Sequence, residues 1–293
     1  MLKTPPEFNS IAIAVHPNNQ QAFTLAEEIG ASLESRGINV ILGRMDDSKL
    51  RTGLNNGKQN LLIALGGDGT MLRAGILSAS SQIPILGVNL GRYGFLTEIQ
   101  KDEWTGALDR VLAGDYWLEK RMMLESVLFR DDQEIGRWNA LNDAVITRGE
   151  TVRPIQLEIF INNRFLNAIV ADALITSTAT GSTAYAMAAG GPILSPELRN
   201  IILVPVAPFL SVEQTLVLDE SVQISVNVFT SHEAVISIDG QPGIPLQNAD
   251  RVEMHASQDV VQFIRFQDPG YFYRNLIPYM DQNPAIKKTN DRN

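Results

Sequence analysis

The sequence predicts two domains, an N-terminal α/β domain built on a parallel sheet and a largely β domain after it. Three observations carry this expectation. Up to about residue 118, apolar strand-like runs alternate with stretches of helical spacing. From 119 to about 267 the runs turn short, β-branched and turn-separated. Within the first part, Leu61–Leu65 is apolar throughout, a strand buried on both faces, and runs through Gly66-Gly67-Asp68-Gly69 into helical spacing.

Taken in order, Ser10–Val15 is an apolar strand closed by His16-Pro17. Phe23, Ala26, Ile29, Ala31 and Leu33 give residues 21–35 a helical face, with Gly37 as the stop. Ile38–Leu42 is a second strand, and the polar stretch 43–60 leads to the third at 61. A helix from Thr70, a strand over Pro84–Asn89 and a helix over 101–114 closing at Gly114 complete the alternation. The expected boundaries are 1–118 for the α/β domain, joined by 268–293, and 119–267 for the β-rich domain. In the latter, runs such as Leu124–Arg130, Ile155–Ile161, Phe165–Ile169, Val222–Phe229 and Val260–Phe266 read as strands, and Asn162-Asn163 is a hairpin signal. Tyr271–Ile277 is expected to pack back on the first domain as a helix, with a frayed polar tail beyond Pro284.

Composition narrows the chemistry. A length of 293 residues suits two modest domains, and 44% hydrophobic with 19% charged residues is an ordinary globular balance. The net charge of -9 lacks the basic footprint of a nucleic-acid binder. There is no cysteine, so thiolate metal sites and cysteine nucleophiles are excluded, and the three histidines have no metal-ligand spacing. No leader pattern or membrane-length apolar run is visible, which makes a cytoplasmic protein without membrane partners the expectation.

Two clusters carry candidate chemistry. A glycine turn before a helix N-terminus can hold phosphate by its N–H groups and the helix dipole. Neither the P-loop pattern nor the dinucleotide fingerprint fits it, since no lysine follows and Leu72 stands at the third-glycine place. Asp68 inside the turn would repel phosphate unless it holds a metal or takes a proton from an attacking hydroxyl; by itself it also suits a plain capped turn. Beyond it, Asn89–Leu96, with Arg92 and Tyr93 between glycines, is a plausible second wall of a cleft. The other cluster, Asp172–Pro192, sets six hydroxyl residues and Tyr185 at a strand-to-helix junction, as a flat polar ligand would need, though ordinary helix caps would look alike.

The two clusters together resemble the NAD kinase family. The matching segments are Gly66–Thr70, Asn89–Leu96, Leu141-Asn142-Asp143, Asp172–Pro192 and, more weakly, Ser237–Gln241. The glycine turn is shared with diacylglycerol-type lipid kinases, whereas Thr180–Tyr185 with Gly190-Gly191-Pro192 is far more specific. The resemblance implies a sandwich-like second domain, the NAD kinase/diacylglycerol kinase-like fold, and an active site between the domains. It implies phosphorylation of the adenosine ribose 2′-hydroxyl of NAD by ATP or polyphosphate, with Mg²⁺ held mainly by donor phosphates rather than a protein cage. Carried over by residue, Asp68 is the base, and Gly66, Gly67, Gly69 and Thr70 cradle donor phosphates. NAD would meet Asp68, Gly69, Arg73, Asn142, Asp143, Asp172, Thr180, Thr183, Ala184, Tyr185, Ala186, Met187 and Ala188, with Arg153 and Gln241 as weaker transfers. A homotetramer is implied as well.

Three positions depart from the family pattern: Asp143 for glutamate, Ala173 for glycine and Ala179 for proline. They bear on NAD affinity more than on the reaction. Two alternatives stand beside this reading. A lipid kinase would follow the turn with other residues than Met71-Leu72-Arg73 and would need a membrane-facing surface. A non-catalytic dinucleotide sensor would gain nothing from a carboxylate at Asp68.

Overall fold

The computed structural model describes residues 8–17, 19–91, 94–209 and 214–281. The chain forms two compact units, one of the described residues up to Glu119 together with those from Gln262 on, the other of Lys120–Val261.

The first unit begins with strand β1 (Ser10–Val15), helix α1 (Gln20–Ser35), β2 (Asn39–Arg44) and α2 (Ser48–Asn55). It continues with β3 (Leu61–Leu65), α3 (Asp68–Ala79), β4 (Ile85–Asn89), the short β5 (Ile99–Gln100) and α4 (Trp104–Ala113). β1 pairs in parallel with β2 and β3, β3 with β4, and β4 with β5. Every residue of β3 and β4 is buried, as an all-parallel ladder covered on both faces requires. The helices begin and end where local chemistry allows. Asn19 caps α1 by accepting from the Ala22 N–H at 3.1 Å, and α4 closes on Gly114 at φ 75°.

One element departs from the expectation of a plain polar link over 43–60. Asp47 accepts from the Lys49 N–H at 2.7 Å and starts α2, whose Leu50 and Leu54, four apart, are both fully buried. Two apolar residues in eight give little periodic signal, but they suffice once the sheet offers them a face. α3 also starts at Asp68, two residues before the expected Thr70, so the aspartate lies in the first helical turn itself.

Strand β6 (Trp117–Arg130) leads into the second unit, which holds β7 (Gln133–Ala140), β8 (Asp143–Arg148), β9 (Ile155–Ile161), β10 (Arg164–Ala171) and β11 (Ala173–Thr178). A 3₁₀ turn over Thr180–Thr183 and the short α5 (Tyr185–Ala188) follow. Then come β12 (Asn200–Val206), β13 (Leu216–Asp219), β14 (Ile224–Phe229), β15 (Ala234–Ile238), β16 (Ile244–Leu246) and β17 (Arg251–Arg265). One antiparallel sheet runs β13-β12-β11-β8-β15-β16, and the other contains β10-β9-β14-β17 with the β6–β7 hairpin. Leu124, Leu157, Val226 and Met254 from the second sheet meet Ile146, Leu174, Leu203 and Ile236 from the first in one core, the sandwich the resemblance implied. Asn162 and Asn163, at φ 50° and 62°, make the tight turn between β9 and β10. The end of β17 returns to the first unit, where Phe263 pairs with Ile85 of β4. Helix α6 (Tyr271–Asp281) belongs to that unit, with Tyr271 and Phe272 buried. The polar tail expected to fray beyond Pro284 lies outside the described residues.

Candidate active site

Each unit carries one cluster of the candidate residues. In the first, Gly66 leaves β3 with its N–H bonded to the Val88 carbonyl at 2.9 Å. A Cβ on Gly66 would overlap the Thr70 side chain, which is buried over it, so only glycine lets the helix begin this close to the strand. Gly67 is the N-cap residue and makes no side-chain cap bond, and among the described residues beyond the adjoining backbone no heavy atom lies within 4 Å of where a Cβ on Gly67 or Gly69 would stand. The start of α3 is thus uncrowded at Gly67 and Gly69, as the close approach of an anion to a helix N-terminus requires. Arg73, one turn on, is exposed.

Asp68 is half-buried and held in place. The Phe95 N–H donates to its Oδ2 at 2.8 Å and the Leu96 N–H to its Oδ1 at 3.1 Å. Gly94 makes this possible, because a Cβ there would overlap the carboxylate. The two N–H donors fix the orientation of the carboxylate. The second wall expected at Asn89–Leu96 is therefore in part a clasp around Asp68; Arg92 and Tyr93 lie outside the described residues.

In the second unit, the turn Leu141-Asn142-Asp143 is gripped from both sides. The buried Asp239 carboxylate accepts three successive backbone N–H groups, from Leu141 at 2.8 Å, Asn142 at 2.7 Å and Asp143 at 3.1 Å. On the other side, the Asn142 carbonyl accepts from the Thr178 N–H at 2.8 Å and the Ser177 hydroxyl at 3.1 Å. A Cβ on Gly181 would strike that same carbonyl. The Thr178 hydroxyl donates to the Leu141 carbonyl at 2.6 Å, and the Gly181 N–H donates to the Thr178 hydroxyl at 3.2 Å. The turn and the Ser177–Gly181 stretch, 35 and 37 residues apart at two of these bonds, are thereby fastened into one rim.

Charge is concentrated at this rim. Asp143 is buried, and desolvation, with the Asp239 carboxylate second, pushes its carboxyl up to about 7. Asp239 is raised as well, by burial, against the lowering pull of its three N–H donors. The Arg121 guanidinium donates to the Thr180 hydroxyl at 3.2 Å, both side chains being buried. Thr183 and Ala184 are half-buried on the same turn, and Tyr185 and Ala188 are exposed beside them. Met187 is half-buried, whereas Ala186 is sealed in an apolar cluster with Ile175, Ile202 and Val204. Gln241 follows the Asp239 turn, its carbonyl accepting from the Ser237 hydroxyl at 2.7 Å.

Two expected residues stand apart from this rim. Asp143 pairs with Ser177 at one end of the β8–β11 ladder, and Ala173 pairs with Thr147 at the other. Asp172 precedes Ala173, roughly 17 Å along the strand from Ser177 at ~3.4 Å per residue, and is ion-paired with Arg148 at 3.2 Å. Arg153, in the loop after β8, is at that far end too, and its carbonyl lies 2.9 Å from the His232 ring nitrogen Nε2. Asp239 and Arg121 are the residues that sequence reasoning missed. Asp239-Gly240 reads as ordinary turn chemistry, with φ values of 47° and 67°, and Arg121 sits in an unremarkable strand.

Residues 11–116 match the ATP-NAD kinase N-terminal domain and residues 141–266 the ATP-NAD kinase C-terminal domain. A curated NAD kinase of Dehalococcoides mccartyi is 39% identical over 271 residues, 92% of this chain and 95% of that protein. The chain belongs to the NAD kinase family. Membership sets aside the lipid-kinase reading of the glycine turn, and nothing favours the non-catalytic alternative. The fold agrees. A yeast NADH kinase complexed with NADH superposes with a TM-score of 0.82 at 24% identity, covering 97% of this chain and 91% of that one. An Archaeoglobus fulgidus NAD kinase in complex with ATP gives 0.73 at 23% identity, covering 92% and 98%.

Proposed function

We propose that this NAD kinase transfers the γ-phosphoryl group of ATP to the adenosine ribose 2′-hydroxyl of NAD, with Asp68 as the base. One observation carries the assignment of the base. The Asp68 carboxylate is held by two backbone N–H groups inside a glycine turn that is uncrowded at Gly67 and Gly69. The ribose oxygen attacks the γ-phosphorus, the bond to the β,γ-bridging oxygen breaks, ADP leaves and the hydroxyl proton goes to Asp68. Gly66, Gly67, Gly69 and Thr70 serve the donor phosphates. The Asn142–Asp143 turn, Thr180, Thr183, Ala184, Tyr185 and Gln241 serve the dinucleotide. ATP is the donor in keeping with the Archaeoglobus fulgidus relative; polyphosphate would use the same turn.

Among the described residues no group of three acidic or histidine side chains could cage a metal. Open glycine faces beside one carboxylate do suit Mg²⁺, which keeps most of its waters and binds through substrate phosphates and one or two carboxylates. Bound there, it neutralises phosphate charge. The test is to incubate the purified protein with NAD, ATP and Mg²⁺ and to measure NADP and ADP together. Equal amounts of both are expected, and ADP without NADP would overturn the reading.

The same reading has the protein act in the cytoplasm as a homo-oligomer, a homotetramer by family. No described helix is long and apolar enough to cross a membrane. Asp172 and Arg153 can meet the dinucleotide held at the Asn142 rim only if it spans the ladder or a second copy supplies them. Edge strand β10 exposes Phe165, Leu166 and Val170, as an interface between copies would require. Light scattering at micromolar concentration is expected to give at least twice 32.2 kDa; a monomer would rule out the second copy and the oligomer.

A further inference from the structure

Arg265 and Glu119 form a buried ion pair in the first unit, their side chains 2% and 1% exposed. The Arg265 Nε donates to Glu119 Oε2 at 2.7 Å, and the Tyr271 hydroxyl stands 3.3 Å from both carboxylate oxygens. The guanidinium also lies over the rings of Phe263 and Tyr271, 5.1 and 5.3 Å from their centroids. Such a pair adds little stability, since removing two charges from water offsets most of their attraction, and apolar residues of similar volume often serve as well. Its reach suggests another use. Arg265 Nη1 donates to the Leu96 carbonyl at 2.9 Å, and Leu96 is the residue whose N–H holds Asp68 Oδ1. The neighbouring clasp residue, Phe95, packs its ring 6.5 Å from that of Phe272 on α6. The clasp is therefore supported from behind by β17 and α6.

We propose that Arg265, itself held by Glu119, is a positioning residue for phosphoryl transfer: by fixing the Leu96 carbonyl it keeps the Phe95 and Leu96 N–H groups on the Asp68 carboxylate. This rests on Asp68 acting as the base. Arg265 touches no substrate, so its loss weakens the reaction without weakening capture of the dinucleotide by the second unit. Lysine at 265 can keep the charge on Glu119 but lacks the planar fork that serves Glu119 and Leu96 together. A paired Arg265→Met, Glu119→Leu change removes the charges in one step and leaves no lone buried ion.

Both variants are assayed for NADP formation beside the parent, with thermal melting recorded for each. The expected result is a kcat lowered tenfold or more in both, with KM for NAD within threefold of the parent's and melting within a few degrees. Parental kcat in either folded variant overturns the proposal. So does a fall in kcat matched by an equal rise in KM, or failure of both variants to fold, because each makes Arg265 a merely structural residue. A parent that makes no NADP, or an Asp68→Asn variant that turns over like the parent, would instead refute the reading on which this proposal rests.

Discussion

Asp68→Asn is expected to fold, to bind NAD as the parent does and to lose turnover by roughly 10²–10⁴-fold, the usual worth of a positioned base. Asparagine has the same shape, so the close approach of Gly94 is still tolerated. Its carbamoyl oxygen can accept only one side of the clasp; the amide nitrogen, a donor, must face the other N–H. One hydrogen bond is lost and one donor is left facing a donor, which costs about 1–3 kcal/mol locally. Thermal melting and calorimetric NAD binding separate that modest cost from the loss of the base. On the proposed function, the variant loses only the group that takes the proton of the ribose hydroxyl. Turnover within a factor of a few of the parent would remove Asp68 from the mechanism.

How far the site could be read from the sequence depended on how locally each part is determined. The glycine turn was legible because strand, glycines and helix lie within fourteen residues, and Gly66 has to be glycine for Thr70 to sit over it. The sandwich was legible from short alternating runs and from Asn162-Asn163. What holds the turn was not. Gly94 is needed only because Asp68, twenty-six residues earlier, occupies the space a Cβ would take. Asp239 grips Leu141, Asn142 and Asp143 from nearly a hundred residues away, and in the sequence it stands in the weakly matching Ser237–Gln241 segment with nothing to mark what it holds. The motif match at Asp172 likewise says nothing of strand direction. Only the antiparallel register, with Asp143 opposite Ser177, places Asp172 at the opposite end from the rim. Local rules give elements, while the grip on functional side chains comes from register and long-range contact.

Asp143→Asn is expected to stabilise the protein at pH 8 while impairing it as an enzyme. The Asp143 carboxyl lies at about 7 because burial disfavours its charge and Asp239 adds a like charge beside it. In the unfolded chain the same group titrates near 3.9. Between those values the folded state binds the proton that the unfolded state has released, so stability is greatest below about pH 4 and falls as pH rises towards 7. Above 7 the full cost persists, on the order of 4 kcal/mol. Asparagine carries no charge at any pH and escapes it. The melting curves of parent and variant should therefore lie close at pH 4.5 and separate by several degrees at pH 8, the variant being higher. Asparagine still accepts at its carbonyl, but it no longer offers the ribose a charged acceptor, and charge-assisted bonds are roughly twice as strong as neutral ones. KM for NAD should rise by about tenfold, or about 1.4 kcal/mol, with kcat changed less because Asp68 is untouched. A variant no more stable than the parent at pH 8 would mean that Asp143 is not held buried as a charge. If stability rises and KM stays at the parent's value, the carboxylate is costly without serving the dinucleotide, and Asn142 alone would have to mark the ribose.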